Sequence, residues 1–159
     1  MEKHTAKVIL LLTFTTIIVF FILVGIEINK KQQIYNDLGI NNITQKYDVL
    51  INKNLSTLVL FVSPDCESCK NEIRTISQNI SVLQKQCNLI IISFVDYDEL
   101  CLFIKNNNLN VTNIIADENF SLYKIYNIET HPTSLLFNPN GKLIQRIESE
   151  IISLKQLKL

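Results

Sequence analysis

Two short apolar runs, each as long as one strand, flank an amphipathic stretch and constrain this chain more than anything else in it. Leu58–Val62 (LVLFV) and Leu89–Val95 (LIIISFV) carry no charge, as strands covered on both faces do. Between them Ile73, Ile76, Ile80 and Leu83 recur at spacings of three, four and three. That is one face of a helix, expected from about Cys66 to Lys85. A strand, a helix and a strand in this order form a right-handed parallel βαβ unit. Downstream, Leu100, Phe103 and Ile104 mark a helix ending at Asn106-Asn107-Asn108. Asn113–Ala116 reads as a short strand and Asn119–Tyr126 as a short helix. Thr133–Phe137 and Lys142–Ile147 flank Asn138-Pro139-Asn140-Gly141, a hairpin signal. A last helix is expected from Glu150 to about Leu157. The fold class is therefore α/β, a mixed sheet with parallel strands first, an antiparallel hairpin last and helices on both sides.

The N-terminal part obeys another rule. Val8–Ile26 holds 19 residues without a charge, although charged residues are 19% of the 159-residue chain. As a helix this run spans about 28 Å, near the roughly 30 Å hydrocarbon core of a bilayer. A cleaved signal peptide is the competing reading, but its apolar region is shorter and ends in a small-x-small site. Here Glu27-Ile28-Asn29-Lys30-Lys31 follows. The expected organisation is a membrane anchor over 1–28, a juxtamembrane linker and lead-in over 29–55, and a folded domain over 56–159. Lys3 and Lys7 before the run nearly balance Lys30 and Lys31 after it, so flanking charge does not set the orientation. With 15 basic and 15 acidic residues, binding of nucleic acid by bulk electrostatics is excluded.

Chemistry concentrates at Cys66-Glu67-Ser68-Cys69, where the first strand gives way to the helix. Two cysteines at this spacing can close a small disulfide, and a helix N-terminus favours a thiolate at the first. Cys66 is thus the expected nucleophile and Cys69 the thiol that resolves the mixed disulfide. Half of a zinc site is the alternative, yet no second CxxC or HxxxH completes one. Ser63-x-x-Cys66 is a fragment of a peroxidatic motif, but Val59 stands where that motif has proline. Cys87 and Cys101 flank the second strand, as buried thiols or an auxiliary disulfide. Glu72, three residues after Cys69, falls on the same helix face and should reach toward it. Burial there would raise its pKa and let it take the Cys69 proton.

Leu58–Ile73 (LVLFVSPDCESCKNEI), together with Tyr126–Lys142 (YNIETHPTSLLFNPNGK), resembles the thioredoxin-like TlpA/ResA-type oxidoreductases. The resemblance covers roughly residues 56–159, and the apolar N-terminus fits it too. It implies a thioredoxin fold with an inserted β-α element at about 97–116, and Pro132 as a cis-proline facing the disulfide. It places Glu72 where such proteins carry an active-site carboxylate, and puts His131 and Pro132 beside a bound substrate. It implies a single-pass cell-membrane (inner-membrane) protein with an extracytoplasmic domain. Such a protein exchanges disulfides with protein clients and is served by a membrane or thioredoxin-type electron donor. No cofactor or resident metal is implied. Asp65 replaces the usual Trp before the first cysteine and opposes a thiolate. Leu60 stands where relatives are often polar. Two other classes remain open: a copper-handling protein using Cys66, Cys69 and His131, and a binding module whose disulfide is only structural.

Overall fold

The computed structural model describes residues 14–27, 38–151 and 153–159. Residues 14–27 form helix α1, with exposed side chains such as Phe14, Phe20 and Phe21. The expected span Val8–Ile26 begins outside the described residues, as does the linker and lead-in expected over 29–55. Among the described residues no helix is long and apolar enough to cross a membrane.

Leu38–Leu159 forms a separate compact unit. After a single helical turn, α2 (Asn41–Thr44), come β1 (Ser56–Phe61), α3 (Glu67–Gln78), α4 (Ile80–Gln86) and β2 (Cys87–Ser93). There follow α5 (Tyr97–Asn106), β3 (Asn113–Ala116), α6 (Ser121–Ile125), β4 (Thr133–Phe137) and β5 (Leu143–Ile147). The sheet order is β3-β2-β1-β4-β5. β1 pairs in parallel with β2 (Leu60 opposite Ile91) and antiparallel with β4 (Leu60 opposite Ser134). α5 and β3 occupy the stretch 97–116, and β3 completes one edge beside β2.

Alternation along β1 explains the two layers. Leu58, Leu60 and Val62 join Ile73, Ile76, Leu83, Leu100 and Phe103 in one core. Phe61 points the other way, edge-on to Tyr123 at 5.1 Å and tilted against Tyr126 at 5.9 Å. Every residue from Thr57 to Phe61 is buried. At about 25 cal/mol per Å² of apolar surface removed from water, this central strand and its two layers supply most of the driving force for folding.

Three local expectations change. The helix expected from Cys66 to Lys85 is two helices, because Asn79 breaks it at φ −117°. The Asn79 Nδ2 donates to the Thr75 carbonyl at 2.8 Å, a side-chain bond that competes with the helix ladder. Among the described residues the final helix is reduced to a 3-10 turn at Leu154–Gln156. Ser153 and Gln156 close a capping box there, which starts a new turn at 153 and denies an earlier start. The lead-in is also not a spacer. Ile40 N–H donates to the Gly141 carbonyl at 3.0 Å, and the Tyr126 hydroxyl to the Gly39 carbonyl at 2.8 Å. Leu50 exchanges two hydrogen bonds with the Asn113 amide, at 3.0 and 2.9 Å. The compact unit therefore begins at Leu38, ahead of the expected boundary at 56. Gly141 is required where it stands: its φ is +79°, and a Cβ would lie 2.9 Å from Ile40 Cγ2.

Candidate active site

Cys66 is the N-cap of α3, with extended φ/ψ of −89° and 116°. The Pro64-Asp65 turn after β1 sets this geometry, with Cys66 N–H donating to the Ser63 carbonyl at 3.1 Å. Its Sγ accepts the Cys69 N–H at 3.1 Å, occupying the place that a serine or aspartate oxygen takes in an ordinary cap. An amide N–H at the helix N-terminus aimed at sulfur is a donor that negative charge on that sulfur strengthens. Cys66 is half-buried and Cys69 fully buried. Cys69 Sγ accepts only a long bond from Ser63 N–H, at 3.5 Å. Its thiol is pushed far up, first by burial, then by its bond to Cys66 and by the charges of Cys66 and Glu72. The Ser63 N–H offsets this in part. One sulfur is accessible and supported; the other keeps its proton until something takes it.

Glu72 is the carboxyl group whose charge reaches the Cys69 thiol. It lies on the core face of α3 with Cys69, Ile73 and Ile76, and it is completely buried. Its Oε1 accepts the Ser134 hydroxyl at 2.8 Å, and its Oε2 has no hydrogen-bond partner among the described residues. Burial pushes its carboxyl up to about 7, against partial relief from the Ser134 hydroxyl and the Ile151 backbone. A carboxyl group half-ionised near neutrality is poised for proton exchange.

The loop before β4 supplies the opposite wall. The His131–Pro132 peptide is cis. The His131 carbonyl lies 3.6 Å from Cys66 Sγ, within reach of a weak S–H bond. Among the described residues, no backbone hydrogen bond engages the His131 N–H. The ring goes elsewhere: Nε2 lies 3.1 Å from the Tyr123 hydroxyl, which donates to the Val62 carbonyl at 3.3 Å. Burial holds the His131 pKa below its ordinary value. Among the described residues no three His, Cys, Asp or Glu side chains are grouped to hold a metal ion. The set Cys66, Cys69 and His131 thus meets at the His131 backbone rather than at its ring.

All four cysteines are free thiols. Cys87 is buried at the start of β2, and burial raises its pKa to about 12. Cys101 is half-exposed on α5. Sequence reasoning missed Ser134 and Tyr123. Ser134 had a signal, a lone hydroxyl in the buried strand TSLLF two residues after Pro132. Tyr123 had none, since its partners lie at 61, 62, 94 and 131.

A thioredoxin-like domain family matches residues 43–158. No curated protein sequence matches the chain. The crystal structure of StoA from Bacillus subtilis is similar, with 28% identity and a TM-score of 0.58, covering 67% of this chain and 82% of that one. A secreted Mycobacterium tuberculosis disulfide oxidoreductase homologous to E. coli DsbE is 19% identical, with a TM-score of 0.54 over 65% of this chain and 75% of its own. A putative thiol:disulfide interchange protein DsbE from Chlorobium tepidum gives 15%, 0.55, 63% and 72%. The last two share the fold alone. With a CxxC at the β1–α3 junction and a family match over most of its length, the chain belongs to the thioredoxin-like family, of the TlpA/ResA type, and has the fold of its thiol–disulfide oxidoreductases.

Proposed function

We propose that this protein is a membrane-tethered thiol–disulfide oxidoreductase acting on extracytoplasmic protein clients. One observation carries the reading: Cys66 Sγ sits on the first turn of α3, accepts the Cys69 N–H at 3.1 Å, and faces the His131 carbonyl at 3.6 Å. The Cys66 thiolate attacks one sulfur of a client disulfide. A Cys66–client S–S bond forms, the client bond breaks, and one client thiolate leaves. The Cys69 thiol passes its proton to Glu72, and its sulfur attacks Cys66 Sγ. The second client thiolate leaves, and the client has gained the two electrons lost in forming the Cys66–Cys69 disulfide. A dithiol donor, of membrane or thioredoxin type, restores the reduced pair. His131 and Pro132 form the wall along which the client backbone lies. The uncharged run Val8–Ile26 supports a single-pass anchor in the cell membrane, and the resemblance to the TlpA/ResA-type oxidoreductases supports an extracytoplasmic domain.

The copper-handling alternative has less support, because the His131 ring is engaged by Tyr123. The test is trapping. Cys69→Ala should accumulate clients as mixed disulfides on Cys66, visible as reductant-sensitive adducts, while Cys66→Ser should accumulate none. Equal adduct formation by both variants would reverse the roles of the two sulfurs. Protease added to intact spheroplasts should digest the domain; cleavage only after lysis would invert the topology.

A further inference from the structure

Beside the reactive sulfur the chain builds an aromatic cup whose parts come from three separate segments. Phe94 follows β2, Phe120 and Tyr123 belong to α6 and its approach, and His131 precedes Pro132. Phe94 and Phe120 stack at 5.4 Å with planes 14° apart. Tyr123 stands edge-on to both, at 5.9 and 5.7 Å, and the His131 ring closes the set at 5.6 Å from Phe94. Together with Lys124 and Ile128 they line a cavity of about 430 Å³.

Phe120 is the telling member. Its φ is +54°, the left-handed region that a bulky side chain enters at a cost, and its ring is 44% exposed. Folding alone would place glycine or asparagine at that φ and would bury the ring. The rim carries one charge of each sign, Lys124 and Glu129, so the cup offers apolar area without a net field. The cup is continuous with the redox centre, because His131 contributes its ring to the one and its carbonyl to the other.

We propose that this cup receives a large apolar or aromatic side chain of the client, two residues from the cysteine under attack. The proposal rests on the oxidoreductase reading above. A client lying extended along His131 turns residues i and i+2 to the same face, roughly 7 Å apart. Its cysteine meets Cys66, and the side chain two positions away meets the stacked pair. Polypeptide clients with this pattern are the substrate class, in preference to small disulfides or polar loops.

The experiment uses the reduced full chain in lipid nanodiscs and two short peptides, each with its cysteine in a mixed disulfide with glutathione. The peptides differ only in Phe or Ser two residues from that cysteine. The wild type should react about tenfold faster with the Phe peptide, equivalent to ~1.4 kcal/mol. Phe120→Ser should bring that ratio close to one. Leu102→Ser, which removes a more exposed apolar side chain from α5, should leave the ratio unchanged. Equal rates for both peptides in the wild type, with a small aromatic disulfide still reduced, would overturn the cup and spare the oxidoreductase reading. Reduction of none of the three substrates would remove both. A ratio lost equally in Leu102→Ser would reduce the preference to general hydrophobic adhesion and overturn the cup. So would self-association that Phe120→Ser abolishes, which would make a second copy the occupant.

Discussion

Glu72 and Asp117 are both carboxylates sealed inside this domain, at 0% and 1% exposure. Asp117 accepts five hydrogen bonds. Its Oδ1 takes those of Ser121 N–H, the Ser121 hydroxyl and the Tyr47 hydroxyl, and its Oδ2 those of Leu122 N–H and Tyr123 N–H. Glu72 Oε1 accepts the Ser134 hydroxyl, and its Oε2 has no hydrogen-bond partner among the described residues. The difference separates architecture from chemistry. A saturated carboxylate is an anchor: Asp117 organises the first turn of α6 and so holds Tyr123 where it meets His131. An undersatisfied one retains a proton affinity that the surroundings have not quenched, and Glu72 has it beside Cys69.

The largest effect should come from breaking the anchor. Asp117→Ala strips partners from three backbone N–H groups, two of them buried, and two hydroxyls, and should cost about 4 kcal/mol of stability. Urea denaturation followed by circular dichroism measures it. A loss below ~1 kcal/mol would mean that water or neighbouring groups replace the carboxylate, and the contrast with Glu72 would collapse.

Glu72 should behave in the opposite way, through pH. Its folded pKa of about 7 lies above the ordinary 4.5, so the folded state binds its proton more tightly than the unfolded chain does. The stabilisation is complete below about 4.5 and is lost as pH rises through 7. The full difference amounts to ~3 kcal/mol. Glu72→Gln should flatten the stability curve across that window. The same variant should leave the first attack by Cys66 largely intact and slow resolution by Cys69 roughly tenfold or more. Single-turnover kinetics of the two steps across pH makes the separation. Identical resolution rates would demote Glu72 to a packing residue.

How far the sequence reached can be seen from these same residues. β3 and β4 fall where their apolar runs predict, and β1 and β2 lie within two residues of theirs. A strand covered on both faces leaves a signal that no neighbour can mask. The CxxC at the strand–helix junction and Glu72 one turn on were legible because helix geometry relates residues three apart. The break at Asn79 was not, since it depends on whether one amide turns inward to Thr75 or outward to water. The lead-in was unreadable for a related reason: Asn88 and Asn113 pin an irregular strand of backbone by side-chain amides, which leave no periodic pattern. His131 was placed correctly beside the sulfurs by its backbone, but its ring direction follows from Tyr123, eight residues away and across a loop. The cup and the Asp117 network lie in the same blind spot, because each is assembled by the topology from segments without a common period.

The smallest change sharpens the comparison most. Ser134 donates the side-chain hydrogen bond that Glu72 Oε1 receives, and a donor to a carboxylate favours its charged form. Ser134→Ala removes that donor without altering the length of α3 or the position of Cys69. Glu72 then keeps only the support of the Ile151 backbone in a buried site, and its pKa should rise further above 7. The midpoint of the resolution step should move up by about one pH unit, which corresponds to ~1.4 kcal/mol and is modest for a buried bond to a charged group. The window over which stability falls should extend upward by the same amount, because the unfolded limit is unchanged. The two readouts must therefore shift together. A kinetic shift without a stability shift would assign the proton to another group, and a midpoint that fell would mean that water enters in place of the hydroxyl. A midpoint that stayed at 7 would give the Ile151 backbone the role assigned here to Ser134.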